Sequence, residues 1–151
     1  MRGFTLMELM VVAAITLMIA GISALTISFS SPKNLDLAFQ ELISHLRDAQ
    51  QRAIVQDQNE RWGMRINAVS GDRDFYEVFY GAGYSNATVT EKIFLSSKVE
   101  FVSPAQGNTK DILFFKKTGF PDAGHTIILL LIGDPSKTKS VTIDSNTGLI
   151  D

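Results

Sequence analysis

The pattern of apolar and polar positions divides the chain into three regimes. From Leu9 to Phe29 no residue is charged, and about 20 apolar residues in a row is the length at which an α-helix can cross a bilayer core. From Leu35 to roughly Asp57 the pattern becomes amphipathic: Leu35, Phe39, Leu42, Leu46, Ala49 and Ala53 recur at alternating spacings of four and three, which predicts one apolar stripe on a helix over 33–57. Glu41, Arg47, Asp48, Gln51 and Arg52 fall off that stripe. Ser30-Ser31-Pro32 separates the two segments, and proline there predicts a kink or a break. After Asn59 the period changes to two, and strands are predicted over 61–66, 75–80, 91–95, 98–102, 110–115, 126–132 and 140–143, with a short return at Leu149-Ile150. Turn-forming clusters separate them, among them Ser70-Gly71-Asp72-Arg73-Asp74 and Thr118-Gly119-Phe120-Pro121-Asp122. Thr126 to Ile132 is the most apolar of these strands and is expected to be central and covered on both faces. One long helix followed by strands in succession predicts an α+β fold with an antiparallel sheet over 61–151.

The first apolar run has three readings on residue physics alone. It could be a plain membrane anchor, a secretory signal peptide or a buried core helix. A signal peptide has an apolar region of about 7–15 residues, and this run exceeds that, although Ala20 to Ala24 offers small residues. An uninterrupted run this apolar argues against a core helix. Glu8 stands at its edge, where a carboxylate is costly and therefore a candidate functional residue.

Gly3-Phe4-Thr5-Leu6-Met7-Glu8 followed by the apolar run resembles the type IV prepilin processing signal: a glycine, then FTLxE, then a long apolar helix. The resemblance implies residues 1–3 as a leader, 4–29 as a transmembrane assembly helix and 30–151 as an extracytoplasmic pilin-like domain. It implies cleavage after Gly3 by a membrane prepilin peptidase, N-methylation of Phe4 by the same enzyme, and a role for Glu8 in subunit assembly. The implied partners are that peptidase and methyltransferase, other pilin or pseudopilin subunits, an inner-membrane assembly platform and the lipid bilayer. The implied location is the cytoplasmic membrane, spanned once with the N-terminus inside. Arg2 suits that orientation.

Composition sharpens this picture. The chain has 151 residues and no cysteine, so the roughly 120 residues beyond the first helix must form a core without disulfides. The lack of a C-terminal disulfide loop favours a minor pilin or pseudopilin over a major pilin. The C-terminal third, from Ile112-Leu113-Phe114-Phe115 through Thr118-Gly119 and Val141-Thr142-Ile143 to Gly148-Leu149-Ile150, is similar to the ending of GspH/FimT-like proteins. These are minor pseudopilins of type II secretion and minor pilins of type IV pili, and the likeness implies a filament-initiation or tip component.

Net charge is −2, from 14 basic and 16 acidic residues, which is no nucleic-acid footprint. The alternative reading is a DNA-binding minor pilin of a competence system, with Lys137 and Lys139 as its candidate contacts among the lysines of the C-terminal third. Lysines on strand edges also guard against edge pairing. No cofactor is expected. His45 and His125 have no partners at metal-ligand spacing and are expected to be plain polar positions. Asp72-Arg73-Asp74 lacks the spacing of a calcium loop and is expected to be a solvated turn. With no thiol and no phosphate-cradling glycine pattern, the chain is expected to be a substrate of enzymes and not an enzyme.

Overall fold

The computed structural model describes residues 6–151, and of residues 19–32 the backbone. A single helix, α1, spans Leu6–Ile54. It runs through Pro32 without interruption, so the predicted break does not occur. Proline removes one N–H from the helical ladder and crowds the carbonyl four residues before it, yet the helical assignment continues on either side of it. At about 1.5 Å per residue, α1 is roughly 73 Å long, and only its C-terminal half lies on the rest of the molecule.

Seven strands follow: β1 (Trp62–Asn67), β2 (Phe75–Tyr80), β3 (Thr88–Phe94), β4 (Val99–Ser103), β5 (Thr109–Phe114), β6 (His125–Leu131) and β7 (Asp134–Ile143). They form two antiparallel sheets where the sequence suggested one. The first is four-stranded in the order β3-β2-β1-β5, and the second is three-stranded in the order β4-β6-β7. The chain first passes from one sheet to the other between β3 and β4, through Leu95 to Lys98, returns at β5 and crosses again to β6. The fold is thus α+β, with α1 packed across antiparallel sheets.

The stripe on α1 faces both sheets. Leu35, Ala38, Leu42, Leu46, Ala49 and Ala53 are buried, with Phe39 only partly so. Trp62, Met64 and Ile66 of β1, alternating with Arg65 and Asn67, meet the stripe from the first sheet, joined by Ile112 and Phe114 of β5. Phe101, Ile127, Leu129 and Val141 meet it from the second. Each fully buried large side chain contributes about 1.5–3 kcal/mol. β6 is central as expected, but it alternates: His125, Ile127, Leu129 and Leu131 are buried, while Thr126 is exposed and Ile128 and Leu130 are half-buried. Its outer face is therefore not covered by a second layer, and its apolarity reflects one buried face and one half-open one. Between β2 and β5, Gly63 lets Phe79 and Leu113 close over β1 on the outer face; a Cβ there would be driven into the Ile112 carbonyl.

Candidate functional site on the N-terminal helix

The first turns of α1 are built from Leu, Met and Ala, which favour helix, with Val11, Val12, Ile15 and Thr16 interspersed. The Thr16 hydroxyl donates back to the carbonyls of Val12 and Ala13, both at 2.9 Å. Such back-bonding satisfies a polar group inside the helix, as an apolar surrounding demands. Glu8 lies in the first turn, where the positive end of the helix dipole favours a carboxylate.

None of the described residues covers this stretch. Leu6 is 80% exposed, and Met7, Leu9, Met10, Val11, Val12, Ile15, Leu17 and Met18 are all exposed. Residues at these spacings point in every direction around the axis, and a helix that is apolar all round is buried in its working environment by something outside itself. Among the described residues no helix is long and apolar enough to cross a membrane; the side chains of the rest of the apolar run, from residue 19 on, lie outside those described. Gly3 and Phe4 also lie outside the described residues.

Lys137 and Lys139 are not brought together as a free cationic pair. Lys139 Nζ stands 2.6 Å from Asp36 and over the Phe39 ring, tying the β7 edge to α1. Lys137 Nζ faces Asp134 at 3.7 Å. A hydrogen bond from the Ser136 hydroxyl, aided by Lys137, holds the Asp134 carboxyl below its usual range.

Three expectations about polar residues are corrected. Asp74 is buried and not part of a solvated turn: one oxygen accepts from the Val69 amide at 2.7 Å, the other from the Phe101 amide at 2.6 Å and from Gln106 Nε2 at 3.0 Å. It thereby joins the β1–β2 turn to β4, one sheet to the other. His125 is the buried first residue of β6, with Nε2 3.0 Å from Asp122. His45 is half-buried, with Nδ1 2.8 Å from the Tyr76 hydroxyl and Nε2 3.9 Å from Glu91. Burial, reinforced by Glu41 and Glu91, pushes the Tyr76 phenol well above its ordinary range.

The pattern of the sequence also missed Gln50, whose Nε2 donates to the carbonyls of Gly119 at 2.9 Å and Gly148 at 2.7 Å. It missed Arg47 as well, which donates to the Ile150 carbonyl at 3.2 Å. Both residues clamp late loops onto α1. Their partners lie 69 to 103 residues away, so no local signal marks them. Among the described residues no group of three or more acidic, histidine or cysteine side chains could hold a metal ion.

No family model matches the chain. No curated protein matches it in sequence. In structure the chain is similar to the crystal structure of the type IV minor pilin FimU of Pseudomonas aeruginosa, with a TM-score of 0.56 at 17% identity, covering 82% of this chain and 90% of that one. The shared architecture is a type IV pilin-like fold: an N-terminal helix laid over antiparallel strands.

Proposed function

We propose that the chain is a minor pilin or pseudopilin subunit that enters a type IV pilus or a type II secretion pseudopilus through its N-terminal helix, as an initiating or tip component. The observation that carries this reading is the sleeve of exposed apolar side chains from Leu6 to Met18, beyond a domain that buries its own stripe. The likeness of the fold to a type IV minor pilin and the prepilin-like start support it. In this reading 1–3 is the leader, 4–29 the assembly helix spanning the cytoplasmic membrane once, and 30–151 the extracytoplasmic domain. A prepilin peptidase cuts after Gly3 and methylates Phe4, and an inner-membrane platform and other pilin-like subunits complete the assembly.

Glu8 is the assembly residue of this proposal. Cleavage after Gly3 places a new α-amino group about one helical turn before it. In an apolar surrounding that cation and the carboxylate are each costly and each relieved by an opposite charge. Exchanging this pair between neighbouring helices couples docking to charge neutralisation. DNA capture through Lys137 and Lys139 has less support, because each lysine already faces a carboxylate.

The test has two parts. Intact-mass analysis of membrane-extracted protein is expected to show loss of Met-Arg-Gly and gain of one methyl; a chain starting near Ser23 or Leu25 would indicate a conventional signal peptide. Glu8→Ala is expected to be cleaved and inserted normally but to lose crosslinking to adjacent pilin-like subunits. Assembly of that variant at parental levels would remove the role assigned to Glu8.

A further inference from the structure

β6 and β7 run alongside α1 and past the start of its buried stripe. Ile143 bridges to Ile150, whose carbonyl accepts from Arg47, and Lys139 Nζ stands 2.6 Å from Asp36. From Arg47 back to Asp36 the helix covers about 16 Å, and from Ile143 back to Lys139 the strand covers about 13 Å. Strand and helix therefore lie nearly alongside one another. β6 is antiparallel to β7, so it heads toward the N-terminal end of α1. Leu129 lies opposite Lys139, and Ile132 follows it after Leu130 and Leu131, about 10 Å further along the strand. On the helix, Phe29 precedes Asp36 by a similar length, about 10 Å of axial rise. Ile132 thus reaches the level at which the apolar run of α1 ends.

Ile132-Gly133 forms the turn between β6 and β7. Turns favour Gly, Asn, Asp and Ser, yet here an isoleucine is 48% exposed. Its amide donates to the Lys98 carbonyl at 2.8 Å, which ties the turn to the β3–β4 connection. Gly133, with φ 93°, opens onto free space, with nothing within 4 Å of a Cβ built there. Around the turn, Asp72, Glu100 and Asp134 stand against Arg73, Lys98 and Lys137. That count is even, so charge selects no partner for this end of the domain. Its level along α1 does. Lys33, the first charged residue after Glu8, is exposed on α1, about one helical turn beyond Phe29.

We propose that the Ile132-Gly133 turn rests on the membrane surface, with Ile132 at the boundary between lipid headgroups and acyl chains. The inference rests on the reading that α1 crosses the bilayer as far as Phe29. A helix that leaves the bilayer there puts the headgroup region at the level Ile132 reaches, so the occupant of this surface is lipid. Lys33 and Lys98 lie at the same height, where long basic side chains lay their stems on apolar surface and keep the amine in water. One apolar side chain adds little to the affinity of a spanning helix. What it adds is orientation: a second contact, off the helix axis, fixes the rotation of the domain about α1.

The chain has no cysteine, so single introduced thiols carry a fluorophore to known positions. The purified full chain is reconstituted in phosphatidylcholine vesicles with an environment-sensitive dye at Ile132→Cys, Ser97→Cys, Thr118→Cys or Val12→Cys. Ser97 and Thr118 are both exposed, and Thr118 adjoins Gly119, which is held at the Gln50 level of α1, far from Phe29. A lipid bearing a nitroxide at the top of its acyl chain is expected to quench the dye at 132 and at 97 several-fold more strongly than at 118. Adding Ile132→Asp to the Ser97→Cys variant is expected to lower its quenching to the level seen at 118, with thermal unfolding unchanged. Quenching at 132 and 97 no stronger than at 118, with the dye at Val12 quenched, would overturn the surface contact and leave the membrane anchor standing. Equal quenching at all three domain positions would show a domain lying flat and would overturn it as well. A dye at Val12 that lipid does not quench would overturn the anchor, and this inference with it.

Discussion

The two halves of α1 share one helix and use opposite chemistry. From Leu6 to Met18 apolar side chains occupy every face and all are exposed. From Leu35 to Ala53 they occupy one stripe, and nearly all of that stripe is buried against the two sheets. Hydrophobicity alone therefore does not say what a segment packs against; its angular distribution does. A stripe is satisfied by a partner on one side, which this chain supplies. A sleeve needs an apolar surrounding on all sides, which the described residues do not supply. The C-terminal half is packed into the domain, and the described N-terminal turns are not.

A matched pair of charges is the strongest way to break this contrast. Leu46→Asp deletes a fully buried side chain and buries an unpaired carboxylate, and is expected to cost more than about 4 kcal/mol and to abolish cooperative unfolding. Val12→Asp makes the same kind of change on the sleeve and is expected to leave the melting of the domain within about 0.5 kcal/mol of the parent. Thermal denaturation followed by circular dichroism in detergent reads both. Equal destabilisation by the two variants would mean that the sleeve is part of the domain.

The second prediction asks whether the helix stripe alone holds the two sheets together. Asp74 is the buried polar link between them, and Asp74→Ala leaves the Val69 and Phe101 amides without their acceptor. The expected loss is on the order of 3 kcal/mol. Asp74→Asn, which keeps one oxygen as acceptor, is expected to lose roughly half as much. A neutral Asp74→Ala in urea denaturation would assign the whole junction to the apolar core.

The smallest effect is a pH dependence at the polar margin of the stripe. Burial raises the Tyr76 phenol above the ordinary value of 10.0. The unfolded chain then releases this proton more readily than the folded one, so the contribution is intact below about pH 10 and is lost as pH rises beyond it. Tyr76→Phe is expected to cost about 1 kcal/mol at pH 7, where it forfeits the hydrogen bond to His45. Above pH 10 it is expected to lose stability less steeply than the parent. Parallel slopes for the two proteins from pH 9 to 11 would remove Tyr76 from the alkaline response.

What was legible in the sequence was local. The stripe of Leu35, Leu42, Leu46, Ala49 and Ala53 followed from spacing, because residues three and four apart share a helix face whatever lies opposite. Most strands followed from alternation, because successive side chains point to opposite sides of a pleat. β3 began three residues earlier than expected, at Thr88, and β7 six residues earlier, at Asp134. Both are edge strands with mostly exposed side chains, so neither carries the alternation by which a strand announces itself.

The sequence by itself determined the sleeve, the stripe and the α+β order of elements, since each is set by neighbours along the chain. Tertiary structure alone decided that the strands divide into two sheets and that Asp74 leaves the solvent to bridge them. It also decided that Gln50 reaches Gly119 and Gly148, and that Arg47 reaches the Ile150 carbonyl. The contacts of Asp74 with Phe101, of Gln50 with Gly119 and Gly148, and of Arg47 with Ile150 span 27 to 103 residues. A buried polar group is defined by the donors and acceptors that the fold brings to it, and no periodicity in the chain encodes which distant amide will arrive.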